Sequence, residues 1–258
     1  MAKLWALRAL WRMFWYLRNW REVWAAYRLS QPLPALQFRR GFVLNHGPAD
    51  DPILLLHTVF ARSEYGALAS ARPRARAARH LVDIGANIGS VTLDLVSRDP
   101  AMKVDAYEPN PATFDTLARN VRDNALESRV RVFREAVAGR NGVVTLWSGE
   151  SSVLSSTSGG AAIGGVSVSV PAVSLDDAIR RTGAAKVAVK IDAEGAEVEM
   201  LESASAATLA AIEELALEYH DTIVPRARER CLAVLAKAGF VCRSLPFNGH
   251  QGILVAHR

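Results

Sequence analysis

From His80 onward, apolar stretches of two kinds alternate along the chain. Short continuous apolar runs, typical of strands buried on both faces of a sheet, are followed by segments with the apolar spacing of a helix. The predicted strands cover residues 80–85, 103–108, 129–137, 186–192 and 214–220, with two closing strands around 240–245 and 252–256. The predicted helices cover 88–98, 112–124 and 225–238, another helix follows residue 192, and 167–179 is a strand running into a short helix. This alternation predicts an α/β fold, with a doubly wound, mostly parallel sheet covered by helices on both faces.

The chain before His80 has a different pattern. Residues 3–28 contain neither Gly nor Pro and carry apolar side chains at helical spacing, which predicts one long helix. Residues 37–45 then predict a strand with a turn at Gly41, and residues 51–65 predict a second helix.

These patterns divide the 258 residues into three predicted units. The first is an aromatic and basic N-terminal helix (1–30), the second is a cap (31–78), and the third is one large domain (79–258). Inside the large domain, the Ser- and Gly-rich stretch 148–165 predicts a loop or hairpin that covers the acceptor side as a lid.

The formal net charge of +5 belongs entirely to residues 1–30, so the rest of the chain is neutral. A neutral domain gives no electrostatic reason to expect nucleic acid as a partner. Five of the six tryptophans lie in the same N-terminal segment, where arginines interrupt every apolar run. These interruptions argue against a membrane-spanning helix and against a signal peptide.

Two uses of the N-terminal helix remain open from the sequence. Its aromatic side chains could pack on the domain or on a second copy of the chain in a homodimer. Alternatively, tryptophans and arginines over residues 1–28 are typical of a helix that lies on an anionic membrane surface, which would suit a lipid-linked acceptor. The only cysteines, Cys231 and Cys242, lack metal-ligand spacing, which predicts reduced thiols and a cytoplasmic protein, with peripheral membrane contact as the open alternative.

A glycine-containing turn follows the first strand of the domain in "VDIGANIG". Gly85 allows a tight turn, and Gly89 lets the next helix begin close to a ligand. Asp83 ends the strand, and an acid there repels a diphosphate but suits a ligand that carries a positive charge. The spacing also differs from the G-x-G-x-x-G of a dinucleotide site.

Two further acids end the next two strands. Glu108 follows Asp83 by 25 residues and can accept hydrogen bonds from both hydroxyls of a ribose. Glu135 can accept one from an adenine amino group. A carboxylate for a cation, an acceptor for the ribose hydroxyls and an acceptor for an adenine amino group together predict a site for S-adenosylmethionine.

Three stretches resemble the FkbM family of S-adenosylmethionine-dependent methyltransferases. They are "VDIGANIGSVTL", "AYEPNPATFDTLARN" and "VSLDDAI" with "VAVKIDAEGAEVEML", and the similarity runs from about Arg39 to the C-terminus. The resemblance implies a class I methyltransferase fold, that is, a Rossmann-like seven-stranded sheet with an antiparallel last strand. It also implies O-methylation of a sugar, a glycolipid or another natural product. The predicted cofactor-binding residues are Asp83, Gly85, Ala86, Asn87, Gly89, Glu108, Pro109, Asn110, Glu135, Ala136 and Asp192.

The acceptor side is predicted from "KIDAEGAE" and "EYH". Alternation along a strand puts Lys190 and Asp192 on one face, and likewise Glu218 and His220 on the next strand. We predict His220 as the general base, with Asp192 holding either this imidazole or the acceptor. The predicted catalytic residues are therefore His220, Asp192, Lys190 and Glu218.

Several alternatives stay open at this point. Each acid has a structural interpretation, and for Glu197 we favour a helix-dipole role over a catalytic one. No metal site is predicted, and the minor alternative is a metal held by Asp192 with Glu218 or His220. The rival functions are a nucleic-acid or protein methyltransferase, and a catalytically inactive membrane-associated binding protein on the same fold.

Overall fold

A computed structural model of the protein describes residues 10–11, 13–47, 79–148 and 166–258. The predicted helix over 51–65 and most of the predicted lid lie outside these described residues. The strands are β1 (Leu36–Gln37), β2 (Val43–Leu44), β3 (His80–Ile84), β4 (Lys103–Tyr107), β5 (Val130–Phe133), β6 (Ala136–Ala138), β7 (Gly142–Ser148), β8 (Val166–Ser174), β9 (Val187–Ile191), β10 (Ile212–His220), β11 (Val241–Pro246) and β12 (Gln251–His257). The helices with full bounds are α1 (Trp20–Arg28), α2 (Ser90–Arg98), α3 (Pro111–Asp123), α4 (Leu175–Thr182), α5 (Glu197–Ser203), α6 (Ala206–Ala211) and α7 (Ala227–Lys237).

The central sheet has seven strands in the order β11-β12-β10-β9-β3-β4-β5. Neighbouring strands from β10 to β5 run parallel, whereas β12 runs antiparallel to both of its neighbours. The predicted mostly parallel sheet with an antiparallel last strand is therefore confirmed. The strand order reverses between β3 and β9, and ligands of such sheets bind beside this point, at the carboxyl ends of the strands.

Successive residues of the central strands face two different hydrophobic cores, one on each side of the sheet. On β3, Leu81 belongs to the first core and Val82 to the second, and on β9 the same holds for Ala188 and Val189. A strand buried on both faces needs an apolar residue at nearly every position. This is why the sequence shows continuous apolar runs here.

A side-chain cap fixes where α3 begins. Asn110 Oδ1 accepts hydrogen bonds from the amides of Ala112 (3.0 Å) and Thr113 (3.4 Å), and Pro111 occupies the first turn of α3. These residues satisfy amides that have no partner inside the helix. The start of α3 is thus anchored directly after the end of β4.

The predicted single helix over 3–28 is wrong, because the chain leaves the helical conformation before α1. Leu17 pairs with Phe38 in an isolated antiparallel bridge, and the Arg18 amide donates to the Gln37 carbonyl oxygen (2.7 Å). The partners of this bridge lie about twenty residues later in the chain. Helical spacing alone could not reveal them, because it reports only local contacts. The predicted turn at Gly41 is confirmed, since it joins β1 and β2 as an antiparallel hairpin.

One face of the N-terminal segment packs on the domain and another face stays exposed. Met13 and Leu17 are fully buried in the first core, whereas the side chains of Trp11, Phe14 and Trp15 are largely exposed. Packing on the domain is thus observed for one face, and membrane contact through the other face stays a prediction. Among the described residues, no helix has both the length and the apolar character needed to span a membrane.

The predicted third strand over 129–137 is two strands that belong to different sheets. β5 is the edge of the central sheet, whereas β6 pairs with β8 in a separate sheet of order β6-β8-β7. Glu135 lies between the two strands. Both strands carry apolar residues, so the change of partner leaves no local signal in the sequence.

Candidate functional site

The turn after β3 is held between the ends of two neighbouring strands. The amides of Gly85 and Ala86 donate to the Tyr107 carbonyl oxygen (3.0 and 2.9 Å), and the Asp192 amide donates to the Ile84 carbonyl oxygen (3.1 Å). Gly85 has φ +69°, and a Cβ atom there would lie 1.8 Å from the Asp192 carbonyl oxygen. Only glycine fits this position.

The predicted residues Asn87 and Gly89 lead from this turn into α2. Asn87 has φ +52°, and its Oδ1 accepts a hydrogen bond from the Ile88 amide (2.6 Å). Gly89 has φ +89°, and a Cβ atom there would lie 2.7 Å from Leu117 Cδ1. The helix therefore begins close against α3, at the rim of the cleft formed by the strand ends.

Glu108 is the acid at the end of β4, and its carboxylate is almost completely buried. Its Oε2 accepts a hydrogen bond from the Asn87 amide (3.0 Å), and its Oε1 accepts one from the Asn110 amide (2.8 Å). Burial raises the pKa of Glu108 to about 7, although these two amides oppose the rise. Glu108 also lines the cleft, and each carboxylate oxygen retains a lone pair for a hydroxyl of a ligand.

The cleft has an apolar wall and a polar wall. Tyr107, Ala136, Val137 and Leu146 supply apolar surface that suits an adenine ring. Polar groups in the same lining come from Asn87, Glu108, Asp192 and Glu194, and Pro109 also lines the cleft. An apolar slot next to a buried ribose acceptor fits a nucleoside, and nearby carboxylates fit a sulfonium.

The structure places Asp83 beneath the turn and not in the cleft, which corrects its predicted direct contact with a cation. Its side chain is completely buried, and Oδ2 accepts a hydrogen bond from the Thr92 hydroxyl (2.6 Å). Its Oδ1 lies 3.5 Å from Lys190 Nζ. The carboxylate of Asp83 is therefore balanced by an ammonium inside the protein.

Lys190 is buried under the same turn. Its ammonium donates to the carbonyl oxygens of Gly85 (2.5 Å) and Ile84 (3.2 Å) and lies 3.7 Å from Asp192 Oδ2. Burial opposes the charge, but the carboxylates of Asp83 and Asp192 outweigh it and raise the pKa of Lys190 above its usual value. The predicted catalytic role of Lys190 conflicts with this position, which is that of a residue holding the cofactor turn.

Glu135 is separated from the cleft by an ion pair. Its Oε2 contacts the Arg181 guanidinium, and Glu135 is absent from the described lining of the cleft, whereas its neighbour Ala136 is part of it. The proposed acceptance of an adenine amino group by Glu135 stays a prediction. The partner, Arg181, lies 46 residues later, so no local pattern predicts this ion pair.

Asp192, Glu218 and His220 come together at the ends of β9 and β10. Leu217 is in register with Ile191, so the next residues, Glu218 and Asp192, are adjacent across the two strands. One ligand-type atom from each of Asp192, Glu218 and His220 lies within 4.8 Å of the others. The predicted acceptor-side residues other than Lys190 are therefore neighbours in space.

The imidazole of His220 is 2% exposed and faces carboxylates on both sides. Nδ1 lies 3.0 Å from Glu197 Oε1, and Nε2 lies 3.4 Å from Glu194 Oε2 and 3.6 Å from Glu218 Oε1. Burial disfavours the charged ring, but these carboxylates outweigh it and raise the pKa of His220 to about 11. The raised pKa favours the ring that carries a proton on both nitrogens and donates to these acids, and the role of His220 as general base stays a prediction.

Two functional candidates, Glu194 and Glu197, were absent from the predicted set. Glu197 is fully buried, and its carboxylate accepts hydrogen bonds from the amides of Ala193 and Gly195 while facing His220. Glu194 lines the cleft at φ +47°, an unusual conformation for a residue with a side chain. The turn "AEGAE" was a signal for both, but sequence alone could not show which acid faces His220.

A second cleft, of about 600 Å³, lies at the opposite ends of the strands. It is lined by several basic residues, including Arg79, Lys103 and Lys186, and by none of the residues discussed above. The groups that can hold a nucleoside and handle a proton all lie at the carboxyl ends of the strands. We therefore place the candidate active site there.

Comparison with known families identifies the class of protein. The family described as "Methyltransferase FkbM domain" matches residues 83–242, from the acid at the end of β3 into β11. The chain belongs to the FkbM methyltransferase family. The predicted family and class I fold are confirmed, and S-adenosylmethionine is the cofactor of this domain.

A curated relative and three solved structures are also similar to parts of this chain. "Methyltransferase sdnD" from Sordaria araneosa is 35% identical over 66 residues, which is 26% of each protein. The matched region thus spans about a quarter of that relative.

The three solved structures share little sequence with this chain. Precorrin-6y C5,15-methyltransferase from Geobacter metallireducens GS-15 is 11% identical, with 76% of this chain and 88% of that chain covered and a TM-score of 0.46. An O-methyltransferase family protein from Burkholderia thailandensis is 13% identical, with coverage of 80% and 59% and a TM-score of 0.44. TYW2 from P. horikoshii, in complex with MeSAdo, is 14% identical, with coverage of 90% and 78% and a TM-score of 0.44.

Proposed function

We propose that this protein is an S-adenosylmethionine-dependent O-methyltransferase that acts on a hydroxyl of a sugar, a glycolipid or another natural product. The observation that carries the proposal is the group of Asp192, Glu194 and Glu218 around His220, directly beside the nucleoside cleft. A hydroxyl that enters there meets several hydrogen-bond acceptors. A polyhydroxylated acceptor such as a sugar would use more than one of them.

The cofactor side is assigned from contacts within the chain. Glu108 would accept from the ribose hydroxyls, because its carboxylate is buried in the cleft and fixed by two backbone amides. The apolar wall at Ala136 and Leu146 would cover the adenine. Lys190 would hold the carbonyl oxygens of the turn in place from below.

The chemistry needs one proton acceptor from the protein. When bound, the cofactor supplies a sulfonium methyl group, which the acceptor oxygen takes as the S–C bond breaks and its electron pair stays on sulfur. The proton of the hydroxyl goes to a carboxylate oxygen of Glu194, which lines the cleft. His220 and Glu197 act as positioning residues, because the imidazole holds the carboxylates of the cluster and Glu197 holds the imidazole.

The location that suits this proposal is the cytoplasm. Cys231 is buried and Cys242 is half-buried, and both are free thiols. Burial raises the pKa of Cys231 to about 12, so its thiol stays protonated and unreactive. A reducing compartment is consistent with both residues.

The test is methyl transfer by the full chain to a panel of glycosides, other alcohols and amines. Mass spectrometry should show the mass of one added methylene on a hydroxyl-bearing acceptor. Transfer only to amines, or to nucleic acid or protein, would contradict the proposal.

The proton acceptor is tested with Glu194→Gln. This change should lower kcat by roughly 10²–10⁴-fold, because the amide cannot accept the proton, while the affinity for S-adenosylmethionine remains. Glu199→Gln is the matched control, since Glu199 is an exposed acid on the nearby helix α5. Equal kcat values for the two variants would rule out Glu194 as the acceptor.

A further inference from the structure

Within the described part of the chain, acidic side chains and one imidazole gather on the acceptor side of the cleft. Four carboxylates, from Asp192, Glu194, Glu197 and Glu218, surround or adjoin the single imidazole of His220. Another cation in the described ranges is Lys190, whose ammonium donates to backbone carbonyl oxygens and lies closer to Asp83 than to Asp192. Carboxylate and imidazole groups held this close together are ligand types that divalent cations bind.

The orientation of His220 is the second observation. A buried carboxylate, Glu197, lies 3.0 Å from Nδ1, and the amide of Gly195 fixes that carboxylate in turn (2.9 Å). Metal-binding histidines commonly donate one ring N–H to a carboxylate, which leaves the other nitrogen as the ligand atom. Here the other nitrogen, Nε2, lies 3.4 Å from Glu194 Oε2 and 3.6 Å from Glu218 Oε1, and a metal ion bound there would replace its proton.

We propose that Asp192, Glu218 and His220 bind one divalent metal ion at the acceptor side of the cleft. Their ligand-type atoms lie within 4.8 Å of one another, and ligands about 2.1 Å from one ion are up to about 4.2 Å apart, so small side-chain movements complete the site. Two carboxylates with one imidazole suit a cation such as Mn²⁺. Asp192 also lines the cleft, so the ion would lie beside the space that an acceptor enters.

The role of this ion rests on the proposed function. A divalent cation that binds the acceptor oxygen lowers the pKa of the hydroxyl. The released proton then goes to Glu194, which lies beside Asp192 in the chain and lines the cleft. The ion therefore favours acceptors that present an oxygen, and adjacent hydroxyls of a sugar could occupy two of its positions.

Binding is measured without cofactor or acceptor, so the result is independent of methyl transfer. The full chain is treated with EDTA, freed of the chelator and titrated with Mn²⁺, and free Mn²⁺ is followed by electron paramagnetic resonance. We expect one Mn²⁺ per chain. Glu218→Gln should weaken binding by at least roughly tenfold, and Glu197→Gln by roughly 10–100-fold through the imidazole.

The matched control is Glu202→Gln, because Glu202 is an exposed acid on α5 whose partner is Arg230. It should bind Mn²⁺ as the unmodified protein does. Asp192→Asn provides a second ligand variant if Glu218→Gln does not fold. No binding at millimolar Mn²⁺, or equal affinity in the ligand variants and the control, would overturn the metal site.

The two proposals can fail separately. Methyl transfer to a hydroxyl without Mn²⁺ binding would overturn the metal site and leave the O-methyltransferase standing. Mn²⁺ binding at these residues without any methyl transfer would overturn the O-methyltransferase function and leave the metal site standing.

Discussion

Gly85 is a residue at which both backbone conformation and space exclude a side chain. A Cβ atom there meets the Asp192 carbonyl oxygen, whereas a Cβ at Gly183, with nearly the same φ of +65°, meets nothing within 4 Å. The pair therefore separates the conformational cost from the steric one. The conformational cost is common to Gly85 and Gly183, whereas the steric cost arises only at Gly85.

We expect Gly85→Ala to destabilise the protein more than Gly183→Ala. Both changes cost about 1–2 kcal/mol for the left-handed conformation, and the clash at Gly85 adds about 1–3 kcal/mol. Urea unfolding gives the free energies, and calorimetry should show weaker cofactor binding for Gly85→Ala alone. Equal losses of stability would mean that the contact with Asp192 is not tight.

Glu108 is the residue that we expect to contribute most to ribose binding. Glu108→Gln should weaken the affinity for S-adenosylmethionine by roughly 10–100-fold, because a hydrogen bond to a charged acceptor is worth about 1.5–3 kcal/mol. Titration calorimetry measures this. The control is Asp115→Asn, an exposed acid on α3 that should leave the affinity unchanged.

At the scale of single residues, the sequence predicted positions better than contacts. The predicted strand ends and the spacing between motifs were sufficient to predict that Glu108, Asp192 and His220 lie at one edge of the sheet. They could not show that Asp83 is paired with Lys190, because that partner lies on β9, more than a hundred residues later. Some acids of the motifs therefore face the cleft, whereas others, such as Asp83, are buried away from it.

Among the elements, the N-terminal segment is the one whose packing differs most from the sequence prediction. Leu17 is fully buried and belongs to the same core as β3, so this segment is part of the folded domain. Leu17→Ala should cost about 2–5 kcal/mol in the free energy of unfolding. Trp15→Ala is the control, because the Trp15 side chain is 57% exposed and its loss should change stability by about 0.5 kcal/mol or less.

Urea unfolding of the two variants checks this prediction, and similar losses of stability would contradict the burial of Leu17.

The side chains of Trp11, Phe14 and Trp15 are exposed and available for the predicted contact with an anionic membrane. Sedimentation of the full chain with anionic vesicles, compared with the Trp15→Ala variant, tests that contact directly.

The alternation of strands and helices was predictable because each central strand is buried on both faces. The mainly apolar runs at β3, β4 and β9 follow directly from that burial. The separation of β5 from β6 was not predictable, because both strands are apolar and only their partners differ. Pairing across long stretches of chain leaves no local trace in the sequence.

For the whole molecule, the order of the strands determines where the chemistry is. β3 lies between β4 and β9, so the glycine turn, Glu108 and Asp192 come from three strands and meet at one edge. The next strand, β10, adds Glu218 and His220. One half of the cleft therefore offers hydrogen-bond acceptors for a nucleoside, and the other half offers carboxylates for a cation and a hydroxyl.

The central claim is that this cleft accepts a sulfonium nucleoside and excludes dinucleotides. Titration calorimetry of the full chain with S-adenosylmethionine, and in parallel with NAD, tests it most directly. We predict one molecule of S-adenosylmethionine per chain, with a dissociation constant in the micromolar range, and no binding of NAD. Binding of NAD without binding of S-adenosylmethionine would contradict the claim.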